Sequence, residues 1–229
     1  MNEKRARDTI KGLIADRGLN ELRMSTCAKV EKALSAAAKY LALSAALGES
    51  RDVKGLALVV DMGAEMVSGA IELYHAEFWY AGTALVRQIV EAEYLLTLFA
   101  HEPGSASGWL NASAKDLRKL WNPAAMRERT GGRFLEREYW DHCERGGHPV
   151  PSAEPLLRNA LNAFDRRFCW IDFTVHAKRV FFALVDCCRT FGLGAHLEEE
   201  AYVQAAAALR VWSVDDPAVA LLAQVPRLP

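Results

Sequence analysis

The chain has 229 residues, 51% of them hydrophobic and 25% charged, which is the balance of a globular protein and excludes a disordered or low-complexity one. With 28 basic against 29 acidic side chains, it has no global field to draw it to nucleic acid or lipid. No run of about 18 uncharged apolar residues appears and the opening MNEKRARDTIKGL has no apolar signal core, so a cytoplasmic protein without membrane contact is expected.

Apolar residues recur at helical spacing almost throughout. Ile10, Leu13 and Ile14 form one face of a first helix. A second runs from about Glu21 to Leu47 on Cys27, Val30, Leu34, Ala37, Leu41 and Ala45, with Gly48 as its C′ residue. Ser50 or Asp52 caps a third, carrying Val53, Leu56, Val60, Met66 and Ile71. It continues, or kinks near Tyr74 and His75, into an apolar helix from about Ala76 to His101. Pro103 and Gly104 stop that helix, and Ser105 or Ser107 caps a short one over Trp109 to Trp121. Asn122-Pro123 reads as an N-cap followed by proline at N1.

Beyond Gly131-Gly132 a helix spans about Phe134 to Glu144. Gly146 and Gly147 each cost about 1 kcal/mol in a helix interior, so they predict a Schellman-type stop that leaves His148 beside Pro149. A long helix from Leu156 to Phe191, broken near Asp165, precedes one from His196 to Val211 and a proline-bearing tail. No period-2 alternation competes, so the expected fold is an all-α multi-helix bundle in one domain. Within it, 1–48 are N-terminal helices, 50–192 the core, and 193–229 a C-terminal helix and tail.

The five cysteines form no CxxC pair and suit reduced thiols. The basic excess in residues 1–32 and the acids Glu198, Glu199, Glu200, Asp215 and Asp216 read as solvated helix faces. No P-loop, dinucleotide or hydrolase-elbow signature occurs.

Two stretches carry candidate chemistry. Arg87 and Glu91 stand at i and i+4 on a helix apolar nearly all round, so they form a buried ion pair or a pocket where Arg87 binds an anion such as phosphate. His148, arriving from a later loop, would then exchange a proton. The second stretch, YWDHCERGGHP (139–149), follows Arg137, and Arg137-x4-His142 puts the two side chains about 140° apart on a helix. Arg166 and Arg167 near Phe168 and Trp170 form the one place where single-stranded RNA would find stacking platforms beside cations, although the aromatics as a set read as core.

Glu72-x-x-His75 has the spacing of ferritin-like metal ligands, with Asp172 and His176 as a loose second pair and Glu65 or Glu91 as extra ligands. The second E-x-x-H is missing, so no metal and no cofactor are expected. Zinc at His142, Cys143 and His148 is disfavoured because adjacent residues rarely ligate together.

Arg137-x4-His142, together with Arg87, Glu91, Tyr139, Cys143, His148 and Pro149, resembles the HEPN superfamily of small helical domains found in bacterial toxins and antiviral systems. Glu138 stands where that family usually has Asn, Asp or His. The resemblance covers roughly residues 50–190 and implies a HEPN-like homodimer in a bacterial defence or toxin system. It implies a metal-independent ribonuclease or its degenerate relative, with RNA as substrate and an antitoxin or other protein as partner. Arg87, Glu91, Arg137, His142 and His148 would be its catalytic residues, and Tyr139, Arg166 and Arg167 would bind substrate. The alternatives are a non-enzymatic helical interaction or scaffold subunit, and a ferritin-like carboxylate–histidine metal protein.

Overall fold

The computed structural model describes residues 3–48, 50–158 and 164–222, and among them it contains helices and turns but no strand. The chain opens with α1 (Glu3–Ala15) and α2 (Arg17–Ala46). Asp16, extended, caps α2 by accepting from the Leu19 N–H at 2.9 Å. Gly48 closes α2 as expected, with φ of +91°. α3 (Arg51–His75) is capped by Ser50 rather than Asp52. Asp52 instead accepts from the Ser107 N–H at 2.6 Å, pinning α3 to the start of α5 (Ser105–Leu110). A break at residues 76–78, with Glu77 in the left-handed region (φ 61°), separates α3 from α4 (Trp79–His101).

α2, α3, α4 and a later helix, α9 (Phe164–Thr190), close a four-helix ring in which each packs on the next and α9 returns against α2. Short links make α2, α3 and α4 alternate in direction. α4 and α9 instead run parallel. Thr83 meets Cys169, Glu93 meets His176, the Leu96 carbonyl meets Cys187 and the Ala100 carbonyl meets Thr190, all in ascending order. A parallel neighbour requires the chain to travel back along the bundle, and residues 102–163 make that return.

The return is built from short pieces: α5, α6 (Ala114–Leu120), α7 (Pro123–Arg129) and α8 (Glu136–His142). Two helices thus stand where the sequence reading put one over Trp109 to Trp121. Ser113 caps α6 in a reciprocal capping box with Asp116. Asn122-Pro123 starts α7 as its spacing predicts. The N-cap of α5 is Gly104 (φ 79°), and neither candidate serine caps it with its side chain. α7, α8 and the turn after α8 pack on α4.

α8 does not end in a Schellman stop. It widens into a π-helical turn over Cys143–Gly147, closed by the His148 N–H donating to the Cys143 carbonyl at 3.2 Å. Gly146 is needed here for clearance rather than for a left-handed backbone. A Cβ at that position would stand 2.6 Å from the Ala84 nitrogen and 2.7 Å from the Thr83 carbonyl carbon. Backbone cannot give way as a flexible side chain can, so Gly146→Ala is expected to lose about 1–3 kcal/mol in urea unfolding. Gly12→Ala, which meets nothing within 4 Å on an α1 helix position, serves as the neutral or slightly stabilising control.

After a 3₁₀ turn (Pro151–Leu156), Leu157 is extended, so the long helix expected from Leu156 does not start there; residues 159–163 lie outside the described residues, and α9 is described from Phe164. A second 3₁₀ turn (Gly194–Glu198) leads to α10 (Glu200–Asp215), which lies on the outside of α2, and α11 (Pro217–Leu222). The core is aliphatic and alanine-rich, with Phe99, Phe173, Phe181 and Trp212 fully buried. The aromatics are not all core: Phe78 and Phe182 are exposed, and the Arg158 guanidinium lies over the Phe78 ring at 4.3 Å. All five cysteines are free and buried, and burial pushes Cys27 and Cys169 up to about 12, so they are unreactive thiols. No helix among the described residues is long and apolar enough to cross a membrane.

The acidic C-terminal face is not wholly solvated, as the sequence reading had it. Asp216 is fully buried and clasps Arg23, which is equally buried, so one residue from each supposed surface is in the core.

Candidate metal centre

The chain's return brings two short patterns of the same form together. On α8, Glu138 and His142 are four apart; on α9, Asp172 and His176 are four apart. Residues at i and i+4 share a helix face, so each helix presents an acid and an imidazole to the other. α4 adds Glu93 from below. The imidazoles meet edge to face, with Nε2 to Nε2 at 2.9 Å. His176 Nδ1 contacts Glu93 Oε2 at 3.0 Å. Asp172 Oδ2 lies 3.5 Å from His142 Nδ1, too far to complete a hydrogen bond, which leaves that nitrogen buried without a partner. Asp172 Oδ1 and Glu138 Oε1 stand 3.9 and 3.8 Å from His176 Nε2. Arg179 closes the group, donating from Nη1 to Glu138 with Glu93 Oε1 at 4.0 Å.

Two facing Nε2 atoms at hydrogen-bond distance share one proton, and the carboxylates decide whose it is. A His142 Nε2–H would leave its Nδ1 lone pair aimed at the Asp172 carboxylate, which repels it. The geometry instead favours His176 as donor, Nδ1–H to Glu93 and Nε2–H to His142, with His142 Nδ1–H turned toward Asp172. Burial lowers the His176 pKa, but the Glu93 hydrogen bond and charge outweigh it and raise the imidazole above its ordinary value. His142 is lowered, by burial first, with the positive His176 ring adding to the effect. Burial alone would raise Asp172; the two histidines facing it hold it below the usual carboxylate range.

The same tautomers suit a metal ion. Two donor atoms each about 2.1 Å from one ion stand roughly 3.0 Å apart in cis-octahedral geometry and ~3.4 Å apart in tetrahedral geometry, and never more than ~4.2 Å. The separations of His142 Nε2 and Asp172 Oδ1 from His176 Nε2, 2.9 and 3.9 Å, lie within or a tenth outside that range, and one donor atom from each of His142, Asp172 and His176 lies within 4.8 Å of the other two. His176 would keep its Nδ1–H on Glu93, the arrangement that fixes metal-binding imidazoles, while His142 Nδ1 faces Asp172 at 3.5 Å. Arg179 donates to Glu138 and holds it in place, and the charge of Arg145 helps to keep Asp172 ionised. His142 and His176 are closed off from solvent, whereas Asp172 and Glu138 are about a quarter exposed or less (side chains 20% and 26%), so the centre opens on its carboxylate side.

The residues singled out from sequence are split between this centre and a neighbouring cluster. Arg87 and Glu91 do pair, Nη2 to Oε1 at 2.8 Å, but on the half-exposed flank of α4 rather than in its buried middle. Tyr139 joins them, accepting from Arg87 Nη2 at 2.9 Å and donating to Glu91 at 3.2 Å. Burial first, then Glu91, pushes the Tyr139 phenol up to about 12. Arg127 covers the same ring at 5.2 Å.

His148 takes no part. Its imidazole is exposed and makes no hydrogen bond or ion pair among the described residues, because the π turn carries the chain past α4 before His148 begins. Arg137 is also exposed and lies 3.8 Å from Asp141, while His142 faces inward, as the 140° separation requires. Arg166 is spent on the carbonyls of Pro155, Leu157 and Arg158, and the Arg167 side chain lies outside the described residues. Glu65, Glu72 and His75 are exposed on α3, away from Asp172 and His176. Glu93 and Glu138 were not named as ligands; the repeated acid-x3-His spacing on α8 and α9 is the sequence signal that points to the pairing.

No protein-family model matches the chain, and no curated protein or solved structure matches it. The resemblance to HEPN domains therefore gains no support from similarity.

Proposed function

We propose that the protein is a metalloprotein that binds one divalent first-row transition-metal ion between His142 and His176. The observation that carries this reading is the 2.9 Å approach of two buried Nε2 atoms, each with its opposite ring nitrogen directed at a carboxylate. An ion takes the place of the proton the rings now share, and no tautomer has to change. Imidazole and carboxylate donors suit zinc, iron, manganese, cobalt or nickel rather than calcium or magnesium. Asp172 completes the ligands, which leaves positions on the solvent side for water or a bound molecule. That is the composition of a catalytic centre rather than of a closed structural one.

Calorimetric titration of EDTA-treated protein with Zn²⁺ tests the reading. One ion per chain is expected, with release of about one proton, and affinity falling about ten-fold per unit as the pH drops below neutrality. A titration without saturable heat, matched by metal-free protein after expression in metal-supplemented medium, contradicts it.

A further inference from the structure

Beside the metal centre, between α4, α9 and the segment before α8, lies a cleft of about 250 Å³. This is a little under the ~300–1,000 Å³ of drug-sized ligand sites, so it fits a small molecule. Phe134, Phe182 and Ala183 supply apolar wall, and the charged lining is Arg133, Lys178 and Arg179 with Glu93, Asp186 and His101. Of the acids, Glu93 is engaged within the protein, whereas Asp186 is in an exposed pair and keeps a negative charge at the rim. Glu93 holds His176, and Asp186 lies 3.5 Å from Arg189.

The cations are less spent. Arg133 makes no side-chain hydrogen bond or ion pair among the described residues, and Lys178 donates to Ser213 Oγ at 3.1 Å with its ammonium 5.7 Å from the centre of the Trp212 ring. Arg179, which lines the cleft, uses Nη1 on Glu138 and keeps its other guanidinium donors. Three cationic side chains around a small, partly apolar space are complementary to an oxyanion, and arginine suits such a group best.

Arg179 also joins the two places. It lines the cleft, holds Glu138 and lies 4.0 Å from Glu93, which orients His176. We infer that the cleft binds a small molecule through a phosphate or carboxylate group on Arg133, Lys178 and Arg179, and that this binding and metal binding strengthen each other. The second half rests on the metal reading; the first does not. An ion that replaces a single proton adds positive charge next to Arg179, and an anion in the cleft offsets it. Coupling of this kind is reciprocal and spans about 5–150-fold in known cases.

The test titrates the full chain with methylphosphonate and, separately, acetate, in EDTA and again with stoichiometric Zn²⁺ bound. Wild type is expected to bind at least one probe in EDTA, and to bind it five-fold or more tightly with zinc. The stronger probe tells phosphate from carboxylate. The double variant Arg133→Gln/Lys178→Gln is expected to weaken the probe at least ten-fold, while its zinc affinity without probe stays that of wild type. Equal probe binding by the double variant overturns the cleft assignment. Probe affinity indifferent to bound zinc overturns the coupling. A protein that binds the probe but no zinc keeps the cleft and loses both the coupling and the metal reading.

Discussion

Replacing Arg23 by alanine is expected to cost about 3–5 kcal/mol of folding stability, the largest single-residue effect outside the site. Its guanidinium is fully buried and holds Asp216 through two bonds, Nε at 2.7 Å and Nη2 at 3.0 Å. Nη1 donates to Asn20 at 2.8 Å and Nη2 also to the Leu13 carbonyl at 3.3 Å. Asp216 in turn accepts from Trp212 Nε1 and from the Ala218 N–H, both at 3.0 Å, so it caps α11 as well. The clasp ties the α1–α2 corner to the α10–α11 corner, 193 residues apart in sequence.

Truncating Arg23 leaves a carboxylate in the core with only two donors, and that desolvated charge sets the cost, more than the lost bonds themselves. The double variant Arg23→Met/Asp216→Asn removes both charges and keeps an acceptor for the cap. It should therefore lose less than the sum of Arg23→Met and Asp216→Asn in a urea-unfolding cycle. Additive losses, or an Arg23→Ala variant within 0.5 kcal/mol of wild type, would contradict the assignment of a buried, paired charge.

The second large effect lies at the metal centre. His142→Ala and His176→Ala each remove one of two nitrogen ligands and should abolish measurable zinc binding. Glu93→Gln leaves both ligands in place but weakens the acceptor that orients His176, so a loss of about 10–100-fold in affinity is expected. The graded order separates a metal centre from a polar network that only fixes the bundle. In a purely structural network all three changes would alter stability, and none would change a metal titration. His148→Ala, at an exposed imidazole outside the centre, should bind zinc as wild type does.

The contrast between these residues shows what was legible in the chain. Features settled within one turn of backbone could be read directly. The Gly48 stop, the Asn122-Pro123 start and the all-α pattern depend on local sterics and on apolar spacing, which the sequence displays. The π turn after His142 could not be read, because its cause is the fit of Gly146 against Thr83 and Ala84 on another helix.

The site was visible in halves. Asp172 and His176 stood out as an i, i+4 couple, and His142 stood out as a titratable group. What joins them is the return of the chain through residues 102–163, which makes α9 parallel to α4. No local pattern encodes that direction. Glu93 was hidden among apolar neighbours on α4, next to the more conspicuous Arg87 and Glu91. Arg23 and Asp216 looked solvated because each sits in a charged stretch, and only tertiary packing shows that their partners are each other.

Anomalous diffraction from crystals grown with Zn²⁺ reads directly what lies between the two imidazoles. A peak above the zinc edge is expected about 2.1 Å from both His142 Nε2 and His176 Nε2, with an Asp172 oxygen in the shell and Glu93 still on His176 Nδ1. Imidazoles still in direct contact, with no peak between them at saturating zinc, would contradict the metal reading.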